Sequence, residues 1–189
     1  FVSFFPQLVA GPIERAANLI PQIQKTPMPS RDQIEKGIVL IVTGLFRKVM
    51  IGDTAGRIVD HMFTNPDIYK SPELLAALIL FSLQIYADFS GYSSIARGTA
   101  KLLGIELMKN FEQPYLSQSI TEFWRRWHIS LSSWLRDYLY ISLGGNRISI
   151  KRTYVNLMIT MLLGGLWHGA SWNFVIWGGL HGIYLAVHK

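Results

Sequence analysis

The longest hydrophobic pattern in this chain is an uncharged run near its end. From Thr153 to His188, 36 residues pass without an Asp, Glu, Lys or Arg. About 20 apolar residues cross a bilayer, so the run predicts two membrane helices, or one helix and a re-entrant piece, over 153–188. An ionisable side chain in such a run is expensive unless it faces a cavity or a partner. His168, within the sequence WHG, is therefore a candidate functional residue.

Two upstream stretches have contrasting patterns. Residues 1–30 contain five of the eight prolines, which predicts a loop with short helical pieces. Ser30 then begins a capping-box sequence, SRDQ, followed by apolar residues at helical spacing. We expect an amphipathic or membrane helix over 31–63.

The middle of the chain predicts two more helices. Residues 72–92 form an apolar membrane helix that reaches Asp88 near its end. That carboxylate is either a helix-end group that hydrogen-bonds to a neighbouring hydroxyl or part of a functional site. Residues 119–141 place aromatic side chains on one face and arginines opposite, as in an amphipathic helix at a membrane interface. His128 projects from the apolar face of that helix.

Composition supports a membrane protein. Of the 189 residues, 50% are hydrophobic and 16% are charged, against about 25% charged in a soluble domain. The net charge of +6 does not imply nucleic acid, because the basic residues form no long stripe and no nucleic-acid motif is present. The chain starts without a Met, its first five residues lack the basic region of a signal peptide, and it ends just after an apolar run. We expect an all-α, polytopic membrane fold, in a fragment whose N- and C-terminal helices are missing.

His128 and His168 are the strongest candidates for chemistry. Burial favours the neutral imidazole, which can accept a proton from a hydroxyl as a general base does. Either histidine can equally be a buried structural residue, and the spacing alone leaves both interpretations open. The chain has no Cys and no close set of His and carboxylate ligands, so no metal site is expected. It also lacks the GxSxG sequence of a serine hydrolase.

Five stretches, in order along the chain, resemble the membrane-bound O-acyltransferase family, and specifically its bacterial alginate O-acetyltransferase branch. They are residues 6–13 (PQLVAGPI), 84–93 (QIYADFSGYS), 123–138 (FWRRWHISLSSWLRDY), 143–147 (LGGNR) and 164–170 (GGLWHGA). The resemblance covers essentially the whole chain, so 1–189 is expected to be part of one acyltransferase domain.

The resemblance implies a polytopic helical enzyme of the bacterial inner membrane. Such an enzyme moves an acyl group from a thioester donor to a hydroxyl acceptor, without a permanently bound cofactor. It implies that His168 is the principal catalytic residue and that His128 is a second one. In the alginate branch the implied donor is acetyl-CoA, and the acetyl group passes outward to an exported polysaccharide or to periplasmic acetyltransferase partners.

Four arginines are candidates for binding the phosphates of the donor. They are Arg125, Arg126, Arg136 and Arg147. A second interpretation is that they only mark the cytosolic side of the membrane. Three alternative functions also remain open: D-alanyl transfer from a carrier protein to teichoic acid, a transporter or channel that uses Asp88 with both histidines, and a non-catalytic scaffold.

Overall fold

A computed structural model describes residues 1–25 and 28–188, and every regular element in those residues is helical. The α-helices are α1 (Ala16–Lys25), α2 (Arg31–Leu45), α3 (Asp53–Thr64), α4 (Ser71–Leu102), α5 (Ile120–Arg126), α6 (Ile129–Leu135), α7 (Ile150–His168) and α8 (Trp172–His188). The chain divides into two compact units, residues 1–109 and 110–189. The first unit contains α1 to α4, and the second contains α5 to α8.

The proline-rich start of the chain contains short helical pieces. A 3₁₀ turn covers Phe5–Gln7, and α1 includes Pro21 within its ten residues. Leu19 of α1 is fully buried and packs with Ala100, Ile105 and Leu107 to form the core of the first unit. Residues 26 and 27 of the predicted loop lie outside the described residues.

The segment predicted over 31–63 is helical from Arg31 to Thr64, with a change of winding in the middle. Ser30 Oγ accepts a hydrogen bond from Gln33 N at 3.2 Å, and Gln33 Oε1 accepts one from Ser30 N at 2.9 Å, so the capping box is formed. Between α2 and α3, Phe46–Gly52 is π-helical. Such segments are most often single-turn insertions, and they occur frequently at functional sites.

Helix α4 is longer than the predicted 72–92, because its second half packs closely against α2. A Cβ atom on Gly91 would lie 2.7 Å from the carbonyl oxygen of Gly44, and one on Gly98 would lie 2.6 Å from that of Gly37. Small residues let helix backbones approach in this way. The prediction ended this helix at residue 92, but the packing continues it to Leu102.

The position of Asp88 differs from the helix-end interpretation. It lies near the middle of α4, and its carboxylate pairs with Lys48 Nζ at 2.5 Å. Lys48 also pairs with Asp53 at 2.6 Å. The nearby Tyr92 hydroxyl instead donates a hydrogen bond to the Leu8 carbonyl at 3.1 Å.

Among the described residues, α4 is the helix that is long and apolar enough to cross a bilayer, judged by length and composition. The run predicted to cross over 153–188 forms α7 and α8, and the same criteria do not select either helix. The crossings by these two helices therefore remain a prediction.

In the second unit, the single helix predicted over 119–141 is broken. Helix α5 ends at Arg126, Trp127 has an extended backbone, and His128 adopts the left-handed conformation with φ 42° and ψ 55°. Helix α6 then begins at Ile129, and a π-helical segment follows at Arg136–Tyr140. The apolar spacing runs through the break, so the pattern of side chains gave no sign of it.

Helices α7 and α8 form a close pair joined by a short turn at residues 169–171. A Cβ atom on Gly165 would lie 2.3 Å from the carbonyl oxygen of Phe174, and one on Gly178 would lie 2.4 Å from that of Met161. The backbones are thus in direct contact. This contact fixes His168, the last residue of α7, against the side chains of α8.

Candidate active site

A cavity of about 500 Å³ lies within the second unit, and its walls come from α5, α6, the following π-helical segment, α7 and α8. Leu131, Leu135, Met161 and Trp177 contribute to its largely apolar lining. The lining also includes the polar or charged residues Thr121, Arg125, Ser132, Ser133, Arg136, Tyr140, Thr160 and His168. A cavity of this volume with a few convergent polar groups is typical of a small-molecule site.

His168 reaches this cavity from the C-terminal end of α7. Its ring lies 5.1 Å from that of Trp167, 5.3 Å from Trp177 and 5.9 Å from Phe174, measured between centroids. The side chain is exposed, and within the part of the chain that the structure describes it takes part in no hydrogen bond. Aromatic contacts therefore orient the imidazole, and a hydroxyl can approach it without displacing a protein partner. The dipole of α7 also stabilises positive charge at this end of the helix.

His128 is placed differently, although it belongs to the same region. It is only 4% exposed, and it is absent from the cavity lining. Its ring centroid lies 6.1 Å from that of Trp167, which in turn contacts His168. A non-Gly residue with a left-handed backbone is uncommon, and such conformations concentrate at active sites.

His128 lies between two short helices, outside the segments predicted to cross the bilayer. Burial lowers the pKa of its imidazole to about 4, and the nearby charge of His168 acts in the same direction. The ring is therefore neutral at pH 7.

This pKa predicts a specific loss of stability in acid. The unfolded chain takes up a proton at His128 below about pH 6.5, but the folded chain does so only near pH 4. The free energy of unfolding should fall by on the order of 3 kcal/mol across that window. Unfolding curves at several pH values would measure it in wild type and in His128→Asn, which tolerates the left-handed backbone. Equal pH dependence in the two proteins would refute the assignment.

The four candidate arginines do not act as one group. Arg125 and Arg136 line the cavity, and Arg136 also pairs with Asp137 at 2.7 Å. Arg126 pairs with Glu122 at 2.6 Å, and Arg147 is exposed in the turn before α7, away from the cavity lining. Arg125 lines the cavity and, within the described part of the chain, forms no ion pair.

Sequence reasoning did not assign Trp177, His181 or Asn110 to this site. The His181 ring lies 4.7 Å from Trp177 and 5.1 Å from Trp124, between centroids. Asn110 lies beside His128 but 18 residues earlier in the chain, so no helical spacing links the two. The spacing of apolar residues within one helix does not reveal which residues of other segments pack against it.

Comparison with known proteins places these residues in a family. The model of the membrane-bound O-acyltransferase family matches residues 1–189. The chain is 51% identical to a probable alginate O-acetylase, AlgI, of Azotobacter vinelandii, over all of this chain and 38% of that protein. It is 44% identical to a peptidoglycan O-acetyltransferase of Helicobacter pylori, over all of this chain and 36% of that protein.

A more distant relative is a teichoic acid D-alanyltransferase of Streptococcus thermophilus, with 30% identity over all of this chain and 48% of that protein. The chain thus spans less than half the length of the three relatives named. The family model nevertheless matches from the first residue to the last. This chain belongs to the membrane-bound O-acyltransferase family.

Proposed function

We propose that this chain is the catalytic part of a membrane O-acetyltransferase that moves an acetyl group from acetyl-CoA toward hydroxyls of an exported polysaccharide. The observation that carries the proposal is the cavity that His168 and Arg125 both line. A base and a cation on one apolar-walled cavity suit a reaction between a hydroxyl and a phosphate-bearing thioester. The higher identity to O-acetyl-transferring relatives than to the D-alanyl-transferring one supports acetyl as the group.

In the proposed reaction, the acceptor oxygen attacks the thioester carbonyl while an imidazole nitrogen of His168 removes the hydroxyl proton. A tetrahedral oxyanion forms and then expels the thiolate of CoA. The protonated His168 returns the proton to that sulfur, which leaves an acetyl ester and free CoA. The helix dipole at the end of α7 favours the transient positive charge on His168.

His128 is assigned a supporting role in this reaction. Its burial and its absence from the cavity lining favour an action through neighbouring groups, such as the Trp167 ring, on the orientation of the acceptor or on charge in the tetrahedral intermediate. The neutral state of the ring suits donation of a hydrogen bond.

Arg125 is the arginine proposed to bind the donor phosphates, because it lines the cavity. Arg125→Ala should raise the KM for acetyl-CoA about tenfold, since a charge-assisted hydrogen bond contributes roughly 1.5–3 kcal/mol. Arg126→Ala is the matched control, because Arg126 pairs with Glu122. Steady-state kinetics over a range of acetyl-CoA would compare them. Equal KM values for Arg125→Ala and wild type would exclude this contact.

The proposed function is tested with the purified full-length protein in vesicles. Radiolabelled acetyl-CoA or a D-alanyl carrier protein is supplied with a polysaccharide or teichoic acid acceptor and, in parallel, with periplasmic acetyltransferase partners. We expect label in the acceptor or a partner from acetyl-CoA. Label from the D-alanyl carrier alone would replace acetyl by D-alanyl, and solute flux without any acyl donor would indicate a transporter.

We also propose that the protein crosses the bacterial inner membrane several times. The apolar length of α4 and the uncharged run that forms α7 and α8 support this. The chain has no Cys, so once any Cys elsewhere in the full-length protein is replaced, single cysteines introduced at helix ends can be labelled from either side with an impermeant maleimide. Labelling of all of them from one side only would contradict a multi-pass arrangement.

A further inference from the structure

The first turn of α6 needs hydrogen-bond acceptors that its own cap does not provide. The leading N–H groups of a helix have no partner within it, and a capping side chain usually accepts one of them. The N-cap residue of α6 is His128, whose side chain makes no capping hydrogen bond. The acceptors must therefore come from elsewhere in the chain.

Asn110 supplies two of them. Its backbone carbonyl accepts from Ile129 N at 2.9 Å, and its side-chain Oδ1 accepts from Ser130 N at 3.2 Å. Asn110 is 1% exposed, so these bonds are sheltered from water. One residue thus binds the two amides that directly follow His128.

The segment 110–112 also contacts the residues before His128. Glu112 N donates to the carbonyl of Arg126 at 2.9 Å, and the Phe111 ring packs edge-on against Trp127 with 5.0 Å between centroids. Residues 110–112 therefore bracket His128 on both sides. A left-handed residue between two short helices persists only when its surroundings hold it there.

We propose that Asn110 is a positioning residue for His128, which caps α6 in place of the histidine and holds the imidazole in its buried site. The effect of Asn110 on catalysis rests on the proposed function. Its effect on the conformation and burial of His128 does not. The side-chain Oδ1 is the atom that matters, because the Nδ2 group of Asn110 is buried without a hydrogen-bond partner among the described residues.

The effect of Asn110 on the burial of His128 is tested by chemical labelling of histidines in the full-length protein. Diethyl pyrocarbonate acylates accessible, unprotonated imidazoles, and mass spectrometry of peptides resolves each site. His128 should react slowly in wild type, and about fivefold to tenfold faster in Asn110→Ala, since one capping interaction of this kind is lost. Exposed His168 provides the internal reference in both proteins.

Asn156 offers a matched control within the same unit. It is also fully buried, and its Nδ2 donates to the carbonyls of Leu143 and Gly145 at 3.1 and 2.9 Å. Asn156→Ala should lower thermal stability by a similar amount but leave labelling of His128 unchanged. Equal acceleration in both variants, or none in Asn110→Ala, would overturn the proposal.

A conservative replacement tests whether the acceptor atom Oδ1 of Asn110, and not the rest of its side chain, holds His128 in place. Asn110→Asp keeps Oδ1 and replaces the unpartnered Nδ2 group with a second carboxyl oxygen, so labelling of His128 should stay within about twofold of wild type, because Asp caps as well as Asn. Should Asn110→Ala fail to fold, Asn110→Ser takes its place with a smaller expected acceleration. Labelling in Asn110→Asp as fast as in the Ala or Ser variant would contradict the role of Oδ1.

The effect of Asn110 on catalysis is measured by steady-state kinetics of the same proteins. Asn110→Ala should lower kcat by about 10²-fold, the effect of misplacing a site group by an ångström, with the KM for acetyl-CoA nearly unchanged. Asn110→Asp should restore most of kcat, and Asn156→Ala should retain it. If wild type transfers no acetyl group, the proposed function fails, while the labelling still decides whether Asn110 holds His128.

Discussion

Replacement of His168 by Ala in the purified full-length protein should reduce kcat for acetyl transfer by about 10³-fold. A positioned general base contributes roughly 10²–10⁴-fold, and nothing else on the cavity wall offers a neutral base of comparable strength within the described residues. The KM for acetyl-CoA should change little, because the imidazole is assigned to the acceptor proton and not to donor binding. Single-turnover transfer of radiolabelled acetyl groups would measure this.

His61→Ala is the control for that experiment. His61 lies on the exposed surface of α3, where its Nδ1 is 2.7 Å from the hydroxyl of Tyr69, and it belongs to the first unit. This variant should keep wild-type kcat. A His168→Ala protein that folds normally and retains near-normal transfer would remove His168 from the chemistry.

A methyl group added at Gly178 should damage both stability and activity. The Cβ atom would lie 2.4 Å from the carbonyl oxygen of Met161, which is backbone and cannot rotate away. Helix α8 must then shift from α7, and such overpacking costs about 1–3 kcal/mol. Trp177, the preceding residue, contacts the His168 ring, so we expect kcat to fall by about 10²-fold. Thermal unfolding in detergent and transfer assays would measure the two effects.

The adjacent Gly179 provides a matched comparison. Its added Cβ would lie 3.8 Å from Leu162 Cδ2, which is an ordinary contact. Gly179→Ala should therefore leave kcat unchanged and raise the midpoint of unfolding slightly, because Ala favours helix over Gly by about 1 kcal/mol. If both variants lost activity equally, the backbone contact at Gly178 would not be what holds the site together.

The hydrophobic pattern predicted where helices occur better than where they end. The Ser30 box and the uncharged run over 153–188 are local signals, and α2, α7 and α8 follow them. The length of α4 is not local. Its second half is rich in Ser and Gly, which lower helix propensity, and only the packing against Gly37 and Gly44 explains why it continues to Leu102.

The break at His128 shows a different limit. Apolar side chains recur at helical spacing through residues 123–135, so periodicity favours one helix. What ends α5 and starts α6 is backbone pairing with residues 110–112, which periodicity cannot detect. Likewise, the sequence identified both histidines as candidates, but only the structure shows that His168 is exposed and His128 is buried.

The paired glycines of α2 and α4 also constrain how the first unit can move. Two backbone-to-backbone contacts, seven residues apart on each helix, are followed one turn later by the Lys48–Asp88 ion pair. Sliding or rotating one helix against the other would drive carbonyl oxygens into Cα atoms at both levels. Any rearrangement during the proposed reaction should therefore carry α2 and α4 together as one rigid body, with bending confined to the segments outside that pair.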